Sequence, residues 1–423
     1  MILQNETDKL NFLTARIQVI AWRAVRLAVS CLTAAVLVLA GTQVAGAINS
    51  SALHMHPQSA SVAPRFQPRS VTFPTSRIGW VLGTVRCGHD RRCLALRETK
   101  DAGRSWAVRP FPPSLAAAIR RAPGGVQAQL DGEGSLSIHF ADARDGWIYG
   151  ALGAHPLLWS THDGGRTWSR RSLHVARAGG EGPILALASA AGTARLMMSA
   201  IPNGVRVESS PVGVDRWKIS ATPHLGLPAG GAQLSGAIVL EGRAGWLVEG
   251  NDRGTTGSAR LNGRGQWVRW TSPCAQVGNS LAVPAASDPQ NLVAVCVMGG
   301  FAYPLSPAAP PGATLDSSWL YRSTDGGESF HAGPELGGRR TSFEILVSPS
   351  PGVLLVTRSG AHGQDLGESV DGGAHWTVVY RGAVRSISFA TSTQGFGLVE
   401  SPSGTMFMIA TADGGHHWMR VSF

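Results

Sequence analysis

The chain has 423 residues, 43% hydrophobic and 15% charged, with 53 glycines and 25 prolines. That supports a packed core, a weakly charged surface and many turns between short strands. The net charge of +10 rests on arginine, because lysine occurs only at Lys9, Lys100 and Lys218; with no reader motif and no basic run longer than three, nucleic-acid binding is set aside.

Residues 1–26 form a basic lead carrying Lys9, Arg16, Arg23 and Arg26. Residues 27–47 are an apolar run ending in Ala45-Gly46-Ala47, which fits a signal peptide or an uncleaved membrane anchor helix. Either way the basic lead stays inside and the remainder is exported. Cys31 sits inside the run, where a lipid-anchor cysteine would follow it. Residues 48–68 are rich in Ser, Pro and Ala and read as a flexible linker, with His54 and His56 solvated. Beyond it lie four cysteines, Cys87, Cys93, Cys274 and Cys296, an even count that suits disulfides in an oxidising compartment. Three pairings are open, and 87–93 with 274–296 is favoured because each pair lies within one local unit. Zinc is disfavoured, since no pair has C-x-x-C spacing.

From residue 69 onward the chain repeats. "TKDAGRSW" (99–106), "THDGGRTW" (161–168), "STDGGESF" (323–330), "SVDGGAHW" (369–376) and "TADGGHHW" (411–418) share Ser/Thr-x-Asp-x-Gly-x-x-Trp/Phe. "SPVGVDRW" (210–217) and "RLNGRGQW" (260–267) keep the frame in worn form, with Val212 and Asn262 at the aspartate position. A second signal, "IGWVLG" (78–83), "DGWIYG" (145–150), "AGWLVE" (244–249) and "QGFGLV" (394–399), precedes its box, and apolar strands lie around both. The boxes start 62, 49, 50, 63, 46 and 42 residues apart; four strands per repeat at a blade period near 40–50 residues, stretched twice by insertions, predict a seven-bladed, all-β propeller of four-stranded antiparallel blades over 69–423, with each box between the third and fourth strands.

The recurring box resembles the BNR (Asp-box) repeat, and with the Gly-Trp strand it looks most like the photosystem II stability/assembly-factor type of propeller. Sialidases and sortilin-like receptors are similar more distantly. The resemblance implies that the boxes are fold elements, which agrees with their chemistry. Asp101, Asp163, Asp325, Asp371 and Asp413 can each accept backbone N–H groups of their own turn. Trp106, Trp168, Phe330, Trp376 and Trp418 are expected to fold into the gap between sheets. One carboxylate per loop is too few for calcium, and the Gly-Lys-Ser/Thr of a phosphate loop is absent. Neither a metal nor a cofactor is expected.

Function is therefore expected on the opposite face, where second-to-third-strand and blade-to-blade loops gather. Three insertions fall there. "RCGHDRRC" presents Arg86, His89, Arg91 and Arg92; residues 109–135 hold a short helix with Arg120 and Arg121; the Pro-rich loop 298–318 carries Phe301 and Tyr303. The leading expectation is an exported, monomeric, non-enzymatic scaffold that binds an extracytoplasmic protein or envelope component. A sialidase-like exo-glycosidase is the first alternative. However, its Arg-Ile-Pro motif is unmatched at Arg77-Ile78-Gly79, and none of the four tyrosines has an evident glutamate partner. A carbohydrate- or cell-wall-binding propeller is the second, weakened because most tryptophans occupy repeat positions; Trp270, just past a box, stands outside them.

Overall fold

The structure, a computed structural model, describes residues 66–88, 92–122, 125–126, 135–153, 155–173, 181–200, 205–221, 235–251, 254–276, 280–298, 318–337, 342–360 and 363–423. The basic lead, the apolar run and the histidines of the linker lie outside the described residues. Among the described residues no helix is long and apolar enough to cross a membrane.

Seven antiparallel sheets of four strands follow one another along the chain, and in each the strands lie in sequence order. They span 67–109, 137–170, 181–221, 235–269, 280–337, 342–381 and 383–421, and are called blades 1 to 7. The first strands of neighbouring blades meet one another, so they line the axis of the ring. Second strands are covered on both faces and read as nearly continuous apolar runs: Gly79–Arg86 is buried along its first six residues. Fourth strands lie at the rim and are short and exposed, as in Ala107–Arg109. The first strand begins at Gln67, inside the stretch read as linker, because Phe66 already packs into the ring.

The core is divided into seven apolar clusters among the described residues, and each fills one gap between neighbouring blades. Between blades 1 and 2, for example, Trp80, Leu82 and Leu96 meet Phe140, Ile148 and Leu157. This is why a single repeat is not a stable unit: its apolar faces are covered only by its neighbours. Blade 7 meets blade 1 by packing alone, since no strand of one end joins the sheet of the other. Aromatic rings close that seam. Phe73 stacks on Phe396 with centroids 3.4 Å apart, and Phe423 lies 4.7 Å from Phe66 and 5.0 Å from Trp106.

Candidate binding surfaces

Every box lies between the third and fourth strands of its blade, and in the five full boxes the aspartate is consumed by its own turn. In blade 2 the Thr161 hydroxyl donates to Asp163 at 2.9 Å and accepts the Gly165 N–H at 2.9 Å. Asp163 also accepts the N–H groups of Arg166 and Thr167 and the Thr167 hydroxyl. Gly165 sits at φ +81°, where a side chain would be strained. Desolvation raises the Asp163 pKa, but these donors outweigh it and hold it at about 2. Ser105 and Thr99 bring Asp101 to about 2, and Asp325, Asp371 and Asp413 lie lower still through Ser329, His375 and His417. Asn262 keeps the worn turn of blade 4 by accepting the N–H groups of Arg264 and Gln266, each at 3.0 Å. These are closed turns with little left to offer a ligand.

The box aromatics pack at the edges of the gap clusters. Trp106, Trp168, Phe330, Trp376 and Trp418 are half-buried, each at the outer end of a gap where the neighbouring strands are short. The fully buried tryptophans are those of the Gly-Trp strands, Trp80, Trp147 and Trp246. Each reaches across to the box of the next blade: Trp80 Nε1 donates to Gly164 O at 3.2 Å, and Trp246 Nε1 to Gly326 O at 3.0 Å. Phe396 lacks a donor and instead stacks on Phe73 beside the box of blade 1.

The worn box of blade 3 breaks this rule and carries charge. Val212 removes the usual aspartate, yet Asp215, in a left-handed conformation at φ 54°, takes over the inter-blade contact. It accepts Trp147 Nε1 at 3.4 Å, the Ser160 hydroxyl at 2.6 Å and Arg171 at 2.8 Å. His162 bridges Asp145 at 2.5 Å and Asp215 at 2.6 Å, and only an imidazolium can donate to both. Desolvation lowers its pKa, but the two carboxylates outweigh that and raise it. Neither His162 nor Asp215 was singled out from sequence, because a box without its aspartate reads as decay.

On the opposite side, the expected insertions are only partly described. The loop of blade 1 is closed by the Cys87–Cys93 disulfide, with Cα atoms 5.7 Å apart. Arg86 and Arg92 lie directly opposite one another in the hairpin register, a like-charge pair that opposes pairing. Both are exposed, and Arg92 donates to Gln67 Oε1 at 2.7 Å. The helix α1, Pro113–Arg121, seats Leu115 and Ile119 in the gap between blades 1 and 2, so it is a built part of the ring. Its last turn exposes Arg120 and Arg121, where cations suit the helix dipole. His89, Arg91, Phe301 and Tyr303 lie outside the described residues.

A groove of about 540 Å³ lies elsewhere, between the outer strands of blades 4 and 5. Trp270, Tyr321 and Phe330 supply its apolar surface, and Arg260, Arg269 and Glu328 its charge. Burial raises the Tyr321 pKa, and Glu328 pairs with Arg260 at 3.3 Å. The groove's Cys274–Cys296 disulfide flank has Cα atoms 5.1 Å apart.

Two titratable groups, half-buried His139 and fully buried Glu249, have different fates. His139 lies beside the Ser189 hydroxyl at 2.8 Å, and burial lowers its pKa to about 4, so it is neutral. Glu249, in the second strand of blade 4, is fully buried with neither carboxylate oxygen hydrogen-bonded, and burial pushes its pKa up to about 7. A carboxyl raised in the folded state loses stability as pH rises from its unfolded value near 4.3 to about 7. Glu249→Gln should therefore gain on the wild type by about 3–4 kcal/mol between pH 4 and pH 8 in paired urea melts. A constant difference would show that the carboxyl ionises freely.

No family model matches the sequence, and no curated protein matches it. Solved structures do share its architecture. "YCF48 bound to D1 peptide" is 18% identical over 85% of this chain and 98% of that one, with a TM-score of 0.51. YCF48 from Cyanidioschyzon merolae is 15% identical over 85% and 96%, with a TM-score of 0.50. A puromycin-hydrolysing peptidase of Mycobacterium tuberculosis is 13% identical over 86% of this chain and 54% of that one, with a TM-score of 0.53. At these identities the likeness establishes the seven-bladed fold, and it spans proteins of unlike activity.

Proposed function

We propose that this chain is an exported, non-enzymatic propeller that holds an acidic segment of an extracytoplasmic protein or envelope component on the loop face of blades 1 and 2. The observation that supports this reading is the basic relief of that face. Arg86, Arg92, Arg120 and Arg121 are all exposed, and none pairs with a carboxylate among the described residues. Two of them face each other at a cost, and a disulfide braces the hairpin tip that carries them. Such a cluster attracts an acidic partner and speeds its encounter. YCF48 bound to D1 peptide is a propeller of this fold with a peptide ligand. Export rests on the apolar run at 27–47 and on the two disulfides.

The reading is tested by capture from envelope fractions. The full-length protein should retain a specific partner that is released by raised salt, and Arg86→Glu combined with Arg120→Glu and Arg121→Glu should abolish the capture while the variant still folds, as checked by circular dichroism. Retention of the same partner by the triple variant would remove the loop face from the proposal. Turnover of a fluorogenic sialoside by the wild type would replace the scaffold reading with an enzymatic one.

A further inference from the structure

The groove between blades 4 and 5 is where the repeat is broken twice. Six of the seven boxes end in tryptophan, and the box of blade 5 ends in Phe330. Phenylalanine lacks the five-membered ring that an indole would place there, so space is left at the outer end of this gap. The second break is Trp270, three residues after the box aromatic of blade 4. The same position in blades 1 and 2 holds Arg109 and Arg171, which form ion pairs with Glu98 and Asp215. The two exceptions meet, with Trp270 and Phe330 centroids 6.0 Å apart and tilted by 45°.

The wall carrying Trp270 is held rigidly. Its Nε1 donates to Gly327 O at 2.7 Å. Its carbonyl accepts the Ser258 hydroxyl at 2.6 Å, and that hydroxyl accepts the Ser272 N–H at 2.9 Å. Two residues on, Cys274 is tied to Cys296 in the next blade. A cavity of about 540 Å³ with fixed walls falls in the range of small-ligand sites and needs little ordering when filled. Charge then narrows the ligand. Arg260 and Glu328 neutralise each other, whereas Arg269 is exposed with no acidic partner among the described residues. The groove is left with one uncompensated guanidinium, a fork suited to one carboxylate. Around it stand half-buried Tyr321 and Phe330, the Thr271 hydroxyl and the Glu328 carboxylate, which together offer ring surface, donors and acceptors.

We infer that this groove is a second binding site, distinct from the loop face, for a saccharide unit bearing a single carboxylate, such as a uronic acid residue of an acidic glycan. The carboxylate lies on Arg269, the apolar side of the sugar ring on Tyr321 and Phe330, and the hydroxyls on Thr271 and Glu328. The site does not depend on the loop-face proposal, and its variants leave that face untouched.

The test is calorimetric titration of the full-length protein with digalacturonate and, separately, with the neutral disaccharide cellobiose. Digalacturonate should bind in a salt-sensitive manner and cellobiose at least about tenfold more weakly. Arg269→Ala should weaken digalacturonate binding by about tenfold or more, and Phe330→Trp should block it while preserving the fold, because it restores the indole found in the other boxes. Both variants are checked for wild-type thermal melts, and Arg86→Glu should bind digalacturonate as the wild type does. Equal binding of the two sugars, unaltered binding by both groove variants, or no binding of digalacturonate at millimolar concentration would each overturn the inference.

Discussion

Replacing Trp80 by alanine should destabilise the propeller by about 4 kcal/mol, whereas Trp168→Ala should cost about half as much. Trp80 is fully buried, stacks on Phe140 of blade 2 with centroids 3.6 Å apart, and donates to the backbone of the next box. Its removal opens a cavity between two sheets and leaves the Gly164 carbonyl without its partner. Trp168 is half-buried at the rim and meets Phe140 edge-on at 6.2 Å. Urea melts of the two variants decide the matter. If Trp168→Ala were the more damaging, the boxes and not the Gly-Trp strands would hold the blades together.

The second large effect belongs to Asp215. Its side chain is almost wholly buried, and it neutralises Arg171 and His162 while holding Trp147 and Ser160. Asp215→Ala should cost about 2 kcal/mol, because it takes the shared carboxylate from Arg171 and His162, both partly exposed, and leaves the Trp147 indole N–H and the Ser160 hydroxyl without their acceptor. The loss should depend on pH in a defined way. His162 is raised in the folded state, so its contribution is complete below about 6.5, its unfolded value, and fades as pH rises through the folded one. For Asp215, desolvation raises the pKa, but Ser160, His162 and Arg171 outweigh it and lower it. Its share is complete above about 3.9 and fades as pH falls through the lowered value. The advantage of wild type over variant should therefore peak between about pH 4 and 6.5. At pH 9 the Arg171 pair should preserve part of it. Melts at pH 3, 5.5 and 9 that gave one constant difference would refute this role of the Asp215 cluster.

The fold was legible because it recurs. Five good boxes and two worn ones, each preceded by apolar strands, define four-stranded blades at a regular period, and the hydrogen bonds of Asp163 follow from its place in an Asx-type turn. What one repeat cannot reveal is its relation to the next. "IGWVLG" and "TKDAGRSW" lie in the same blade, yet Trp80 reaches "THDGGRTW" of the blade that follows. The candidate surfaces were legible unevenly. Arg120 and Arg121 were located by a helix-forming run, although sequence could not show that Leu115 and Ile119 root that helix in the core. The groove escaped because its parts look like imperfections: Phe330 as a conservative replacement and Trp270 as a stray aromatic. Departures from a repeat carry information only when their positions in space are known.

The aromatic seam between blades 7 and 1 has a consequence for how the gene encoding such a ring can be rearranged. Blades 1 and 7 each hold four strands of their own, and the rings of Phe66, Phe73, Phe396 and Phe423 meet without any shared strand. The starting point of the polypeptide is thus independent of the architecture. A circular permutant that links Phe423 to Phe66 and opens between residues 221 and 235 would retain all seven sheets, with a covalent tie in place of a junction that the native chain leaves to contact alone.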